Sequence, residues 1–399
     1  MTSRASRASP APIKAAHDWM AGMRFSPDKP LIDVSQAAPS DAPPEALRTA
    51  MADYVLHEKE AHLYGPILGM LRLRRAMATH CSQIYQTTLA EENIAITSGC
   101  NQAFCATISA LSEEGDEVIL ATPWYFNHKM WLDMMGVHTR PLTCGSDMMP
   151  DPEQAERLIT PKTRAICLVS PNNPAGVAYP DALLHAFFDL SQRHGIVLIL
   201  DETYKDFHPD PTHPHSLCQR ENAHDTLVQL FSFSKSFRLT GHRVGAIVTA
   251  SNRLQDVEKF LDTVTICPSQ VGQYGAYWGL LHLSDWLDCQ RKEMSRRRAF
   301  LEDRFSLLSD QGWKLLGVGG YFAYVEHPFE LSSDKIAEMI LRDSSILCLP
   351  GTMFAPPEMV SATRQLRIAF ANIGCEELEI LIQRLHKFSL ALASTHADK

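Results

Sequence analysis

Four short segments hold residue types that could do chemistry, and each follows a run that reads as a strand. Ser232-Phe233-Ser234-Lys235-Ser236-Phe237 continues to Arg243 and combines hydroxyls, a lysine and an arginine. A lone lysine is ordinarily a solvated surface charge, so Lys235 gains meaning only from its neighbours. Asp201-Glu202-Thr203-Tyr204 directly follows the most apolar run in the chain, where an acid is costly unless a cation or donor meets it. Ser170-Pro171-Asn172-Asn173-Pro174-Ala175-Gly176 sets two amide side chains in a proline-braced turn, a pattern that a plain loop also shows. Thr97-Ser98-Gly99-Cys100 passes through a glycine into a helical stretch, Ala103 to Leu111. Gly99 lets the backbone approach a ligand, and the free N–H groups of a helix start suit an anion such as phosphate.

The elements that must position these residues follow from periodicity. Short β-branched runs alternate with longer helical stretches between about residues 90 and 250. The expected strands are Ile94–Thr97, Glu117–Ala121, Ala165–Ser170, Ile196–Asp201, Thr226–Ser232 and Val244–Ala250. Several are apolar on both faces, as in a mainly parallel sheet covered by helices. Ligands collect at the carboxyl ends of such strands, which is where the four segments lie. From Ser284 to Gln311 the pattern predicts one long helix. Short strands follow (Tyr321–Val325, Ile346–Leu349, Gln365–Phe370), then an amphipathic helix, Glu376 to Leu392. This predicts an α/β large domain over 45–284 and a smaller α+β domain from 16–44 and 285–399, joined by the helix near 284–311. Residues 1–15 read as a disordered tail. Pro39 to Pro44 marks the entry to the large domain, with Ile32–Ala38 expected to pack on the small one.

Composition narrows the function. The 399 residues are 45% apolar and 21% charged, ordinary for a globular protein. With 37 basic and 46 acidic residues the net charge is −9, which gives no electrostatic reason to bind nucleic acid or an anionic membrane. The longest clean apolar run, Ile196 to Leu200, is far short of the ~20 residues of a membrane span. Ten scattered cysteines form no C-x-x-C pair, and several sit in apolar runs, as in a reducing compartment; a cytoplasmic protein is expected. His208, His213 and His215 share a proline-rich loop without metal-site spacing and read as solvated, so no metal is expected. Gly317-Val318-Gly319-Gly320 precedes a strand-like run rather than a helix, which rules out a dinucleotide loop.

Taken together, the four segments resemble the fold-type I, class I/II aminotransferases that use pyridoxal 5′-phosphate. The resemblance runs from about Ile32 to the C-terminus. It rests on S-P-N-N-P-x-G, D-E-x-Y, the S-F-S-K-S-F-x-L-T-G-x-R-V-G segment and Leu366-Arg367-Ile368-Ala369-Phe370. Asn173 precedes Asp201 by 28 residues, Lys235 follows by 34, and Arg243 by 8 more. The resemblance implies a seven-stranded, mainly parallel sheet and transfer of an α-amino group from an L-amino acid to a 2-oxo acid by a ping-pong route. It implies Lys235 as the lysine of the Schiff base and Asp201 as the anion that keeps the pyridine ring protonated. Asn173 and Tyr204 would donate to the ring's phenolate oxygen. The Gly99–Cys100 backbone, Ser98, Ser232 and Arg243 would hold the phosphate. Tyr125 would stack on the cofactor face, with the adjacent Trp124 as the fallback. Arg367 would clamp the substrate carboxylate. Tyr64, before a P-x-x-G turn, would reach the site of a second subunit, which implies a homodimer.

Three departures bear on substrate. One subgroup of aspartate-specific relatives has a lysine where Asn101 stands, which disfavours an acidic donor. Ala37 occupies a position usually glycine beside the substrate carboxylate, and Ala175 replaces a common threonine. A lyase, decarboxylase or oxidase of the same fold, or a cofactor-binding protein without catalysis, would share the same motifs.

Overall fold

The computed structural model describes residues 3–39 and 41–397. Seven strands form its main sheet: β1 (Ile94–Thr97), β2 (Glu117–Thr122), β3 (His138–Thr143), β4 (Thr163–Val169), β5 (Val197–Asp201), β6 (Leu227–Ser232) and β7 (Gly245–Val248). Their order is β1-β7-β6-β5-β4-β2-β3, and only β7 runs antiparallel to its neighbours. The expected α/β sheet is present, with one strand that the sequence concealed. β3 reads His-Thr-Arg-Pro-Leu-Thr; as an edge strand it is half-exposed and needs no apolar run.

Strand periodicity decides which residues can meet. In β5, Leu198 and Leu200 pack into one core layer with Phe187, Phe188 and Phe231. Val197 and Ile199 point to the opposite layer, with Phe104 and Leu132. Asp201 continues the second series, as do Cys167 on β4 and Ser232 on β6. That face is covered by the helices Cys100–Leu111 and Phe126–Met135. Glu202, next in line, faces the other way.

A second core joins Ile32 and Val34 to Trp313, Val325, Ile336, Leu366 and Leu378. Its sheet has the order β10-β11-β9-β8, all antiparallel, from β8 (Lys314–Gly319), β9 (Phe322–Glu326), β10 (Leu349–Pro350) and β11 (Gln365–Ile368). Gly317 to Gly320 thus belongs to a hairpin. Ile32–Asp33 pairs in parallel with Ile346–Leu347, tying the early segment to this second core. The long helix ends at Arg304, and a separate turn covers Ser306–Ser309.

The opening residues differ from expectation. Where a disordered tail over 1–15 was predicted, helices run from Arg4 to Arg7 and from Pro12 to Asp18; Met1 and Thr2 lie outside the described residues. Proline at the first helical position and apolar Ile13 and Ala16 give the second helix a start and a face to bury. Arg4 adds a hydrogen bond to the Met135 carbonyl (3.0 Å) and an ion pair with Glu114.

Candidate active site

At the carboxyl ends of β4, β5 and β6 lies a cavity of about 400 Å³, walled by residues from both cores. Of the residues singled out in the sequence, it is lined by Ala37, Cys100, Asn101, Tyr125, Asn173, Asp201, Tyr204, Ser232, Lys235, Arg243 and Arg367. Of the two adjacent aromatics considered for the cofactor face, Tyr125 lines the cavity and Trp124 does not. Ser98 adjoins it, its N–H bound to Gln102 Oε1 at 2.6 Å. Tyr64 is 81% exposed and stands away from the cavity.

Lys235 sits in a single helical turn (Phe233–Ser236) that β6 feeds directly, capped by the Ser232 hydroxyl, which accepts from the Ser234 N–H at 3.2 Å. Its Nζ donates to the Ala37 carbonyl and lies 5.9 and 5.8 Å from the rings of Tyr204 and Tyr321. Burial, reinforced by the charges of Arg367 and Arg243, lowers its pKa to about 7. The amine is therefore partly free of its proton at neutral pH.

Asp201 is 3% exposed. One oxygen accepts from the Thr203 N–H at 2.9 Å and faces the Cys100 thiol at 3.6 Å. The other lies 3.2 Å from His128 Nε2, with the ring turned off the ideal hydrogen-bond direction. Burial alone would raise its pKa; His128 and Thr203 outweigh burial and hold the carboxyl below the usual range. The cavity thus keeps one anion at its floor. Neither His128 nor Thr203 was singled out in the sequence. The available signal was the spacing of Tyr125 and His128, one helical turn apart and on one face.

Arg367, on β11, is 2% exposed and lies between the rings of Phe322 and Phe354, 4.8 Å from each. It donates to Asn173 Oδ1 at 2.9 Å and to the Ser35 carbonyl, while its buried Nε has no partner. Burial lowers its pKa to about 10, so it remains a cation. Among the described residues no carboxylate pairs with it. A buried guanidinium in that condition is suited to an incoming carboxylate. With its oxygen engaged, Asn173 has its NH₂ left to donate. Burial also pushes the Tyr204 phenol well above its ordinary value and Tyr125 to about 12, so both remain O–H donors.

The anion cup forms where β1 turns into the helix Cys100–Leu111. Gly99 adopts φ +87° as its N-cap, and an added Cβ would lie 2.3 Å from Arg243 Nη2. Arg243 is held by the Thr240 carbonyl (2.9 Å) and the Ser234 hydroxyl (3.4 Å). The Gly99 N–H is taken by the Thr97 carbonyl (2.8 Å), so the helix start from Cys100 onward, with hydroxyls and a guanidinium at one end and a buried carboxylate at the other, fits a phosphorylated heterocycle with a basic ring nitrogen. Gly99→Ala strains the backbone and crowds Arg243. It is expected to weaken pyridoxal phosphate binding roughly ten- to a hundredfold, measured by equilibrium dialysis. Unchanged affinity would remove Gly99 from the cup.

One loop histidine is not solvated as expected. His215 is 2% exposed, stacked on Tyr85 at 4.7 Å, with Nε2 3.3 Å from Glu202 Oε1. Glu202 accepts from Tyr85 (2.6 Å) and Gln229 (2.7 Å), which supply the donors its burial demands. The loop folds inward and packs the His215 ring on Tyr85, beside this carboxylate.

The aminotransferase class I and II family model matches residues 29–385. The chain belongs to this family. This aminotransferase chain is 28% identical over 334 residues to the aromatic aminotransferase ISS1 of Arabidopsis thaliana, spanning 81% of each protein. It is 26% identical over 393 residues to an aspartate aminotransferase of Pyrococcus abyssi, spanning 97% of each. A solved Thermus thermophilus aspartate aminotransferase mutant shares its fold, with a TM-score of 0.86 at 22% identity over 97% of this chain and 99% of that one. Fold type I, the pyridoxal phosphate cofactor and amino-group transfer by the family's ping-pong route follow from membership.

Proposed function

We propose that six residues of this aminotransferase, Lys235, Asp201, Asn173, Tyr204, Arg243 and Arg367, divide the work of transamination, with neutral L-amino acids as preferred donors. Pyridoxal phosphate held by Lys235, Asp201 and the phosphate cup would supply an electron-accepting ring that makes a substrate α-proton removable. Once the substrate amine has displaced Lys235 from the cofactor, the freed Nζ would take that proton from the α-carbon, which a pKa near 7 permits. Asp201 offers a fixed negative charge to the ring nitrogen. Asn173 and Tyr204 donate to the phenolate oxygen. Arg243, Ser232 and the Gly99–Cys100 backbone hold the phosphate, with Ser98 adding a hydroxyl. Tyr125 covers the ring, and Arg367 binds the substrate α-carboxylate as a planar fork.

The observation that carries this reading is the meeting of a buried amine, Lys235, and a buried guanidinium, Arg367, neither with a carboxylate partner among the described residues, in one cavity floored by ionised Asp201. For the donor's side chain, the relevant fact is that all three cations lining the cavity already have work to do. Among the described residues its remaining walls, including Ile13, Gln36, Ala37, Ala38, Asn101 and Phe126, carry no charge. Asn101 Oδ1 instead accepts from the Tyr125 hydroxyl at 3.2 Å.

We place the active unit as a homodimer in the cytoplasm, with domains over 45–284 and over 16–44 plus 285–399. Exposure of Tyr64 suits a residue that completes a partner's site, and cysteines in apolar surroundings suit a reducing compartment. The test is a screen of half-reactions, following loss of the cofactor's visible band as each amino acid is added. Neutral or aromatic donors are expected to react fastest, and Asn101→Lys to raise the relative rate with aspartate. Aspartate or glutamate as the fastest donor of the unmodified protein would refute the assignment.

A further inference from the structure

His128 is enclosed on every side that bears on its charge. Phe104 stacks on the ring at 3.9 Å and Tyr125 meets it edge-on at 5.1 Å. Asp201 Oδ2 lies 3.2 Å from Nε2, and the Cys167 thiol, from β4, lies 3.7 Å from Nδ1. Both His128 and Cys167 are almost fully buried, at 2% and 3% exposure. The facing titratable groups are therefore Asp201 and Cys167, with Tyr125 at the ring edge and Cys100 on the far oxygen of Asp201.

The proton count depends on which groups can donate. A bare nitrogen lone pair 3.2 Å from a carboxylate oxygen would be repulsive, so Nε2 carries the hydrogen. Nδ1 can then be bare or protonated. Cys167 is buried beside Asp201, which keeps its thiol protonated and hence a donor. An S–H aimed at a bare Nδ1 donates to it, whereas against a second N–H the sulfur can only accept, and weakly. A doubly protonated ring would also cancel the charge of Asp201, leaving no net anion at the cavity floor.

We propose that Cys167 is a positioning residue: its S–H donates to His128 Nδ1, holds the ring in the neutral Nε2–H form, and so leaves Asp201 its full negative charge toward the cavity. This rests on the proposed role of Asp201 toward the cofactor's ring nitrogen. Fixing the tautomer of a histidine through its second nitrogen is a general way to control what the first one does.

The test is nitrogen NMR on histidine-labelled protein, with and without pyridoxal phosphate, the His128 signals being identified by their loss in His128→Gln. At about pH 8 the unmodified protein is expected to show one protonated and one hydrogen-bond-accepting nitrogen. Cys167→Ala should move the nitrogen signals off the one-donor, one-acceptor pattern and lower kcat about fivefold with KM unchanged; Cys167→Ser, which restores a donor, should reverse both. A doubly protonated His128 in the unmodified protein overturns the proposal. So does a Cys167→Ala variant whose nitrogen signals match the unmodified ones, even if its activity falls. Should an alanine variant fail to fold, the unmodified spectrum and the serine variant still decide. The tautomer is read with or without cofactor, so a protein that takes up no pyridoxal phosphate counts against the proposed function alone.

Discussion

Lys235→Ala is expected to lower amino-group transfer by at least about a thousandfold, the contribution of a positioned proton carrier together with its covalent attachment. Among the described residues no other amine lines the cavity to take over the role. The variant should still bind the cofactor through the phosphate cup and Asp201, but without the covalent band in the visible spectrum. The pH dependence sharpens the prediction. A pKa lowered to about 7 by burial and by Arg367 and Arg243 means the attacking amine is unprotonated above that pH and protonated below it. Covalent uptake of pyridoxal phosphate by the cofactor-free protein should therefore rise with pH through about 7 and level off above it, rather than climb toward the ordinary lysine range. Stopped-flow absorbance over a pH series measures this. A variant that retains turnover, or an uptake rate still climbing at pH 10, would refute the assignment.

Replacing the anion at the cavity floor has the second largest expected effect. Asp201→Asn keeps the volume and an oxygen for the Thr203 N–H, yet removes the charge. With the ring nitrogen no longer held protonated, electron withdrawal from the substrate weakens. We expect kcat to fall by roughly a hundred- to a thousandfold, the size seen when one preorganised electrostatic contact is deleted. Covalent attachment to Lys235 should survive, because Lys235 and the phosphate cup are untouched. That combination of an intact cofactor band and lost turnover separates a loss of charge from a loss of binding. Near-normal turnover in Asp201→Asn would mean that the carboxylate only shapes the fold.

The chemistry was legible in the sequence because each key residue sits at a break between a buried strand and the next turn or helix. Lys235 and Asp201 stand out because polar residues at the ends of apolar runs need a reason. Asn173 and Gly99 stand out because proline-braced turns and a glycine at a helix start constrain the backbone over a few residues. These are local rules, and motif order and spacing were enough to indicate the family. The six strands read from apolar runs were found in the main sheet for the same local reason; β3 escaped because an edge strand needs no such run.

Tertiary structure decided what depends on distant segments meeting. His128 reaches Asp201 because strand alternation turns Asp201 toward the helix Phe126–Met135, a matter of facing rather than of sequence spacing. Arg367 becomes a buried cation between two phenyl rings because β11 of the second core lies beside the Asn173 turn. His215 is buried because its loop folds back onto Tyr85, the residue that donates to Glu202 on the face opposite Asp201. Residue type and order specify which groups can do chemistry; the alternation of strands and the pairing of buried charges set their protonation and their partners.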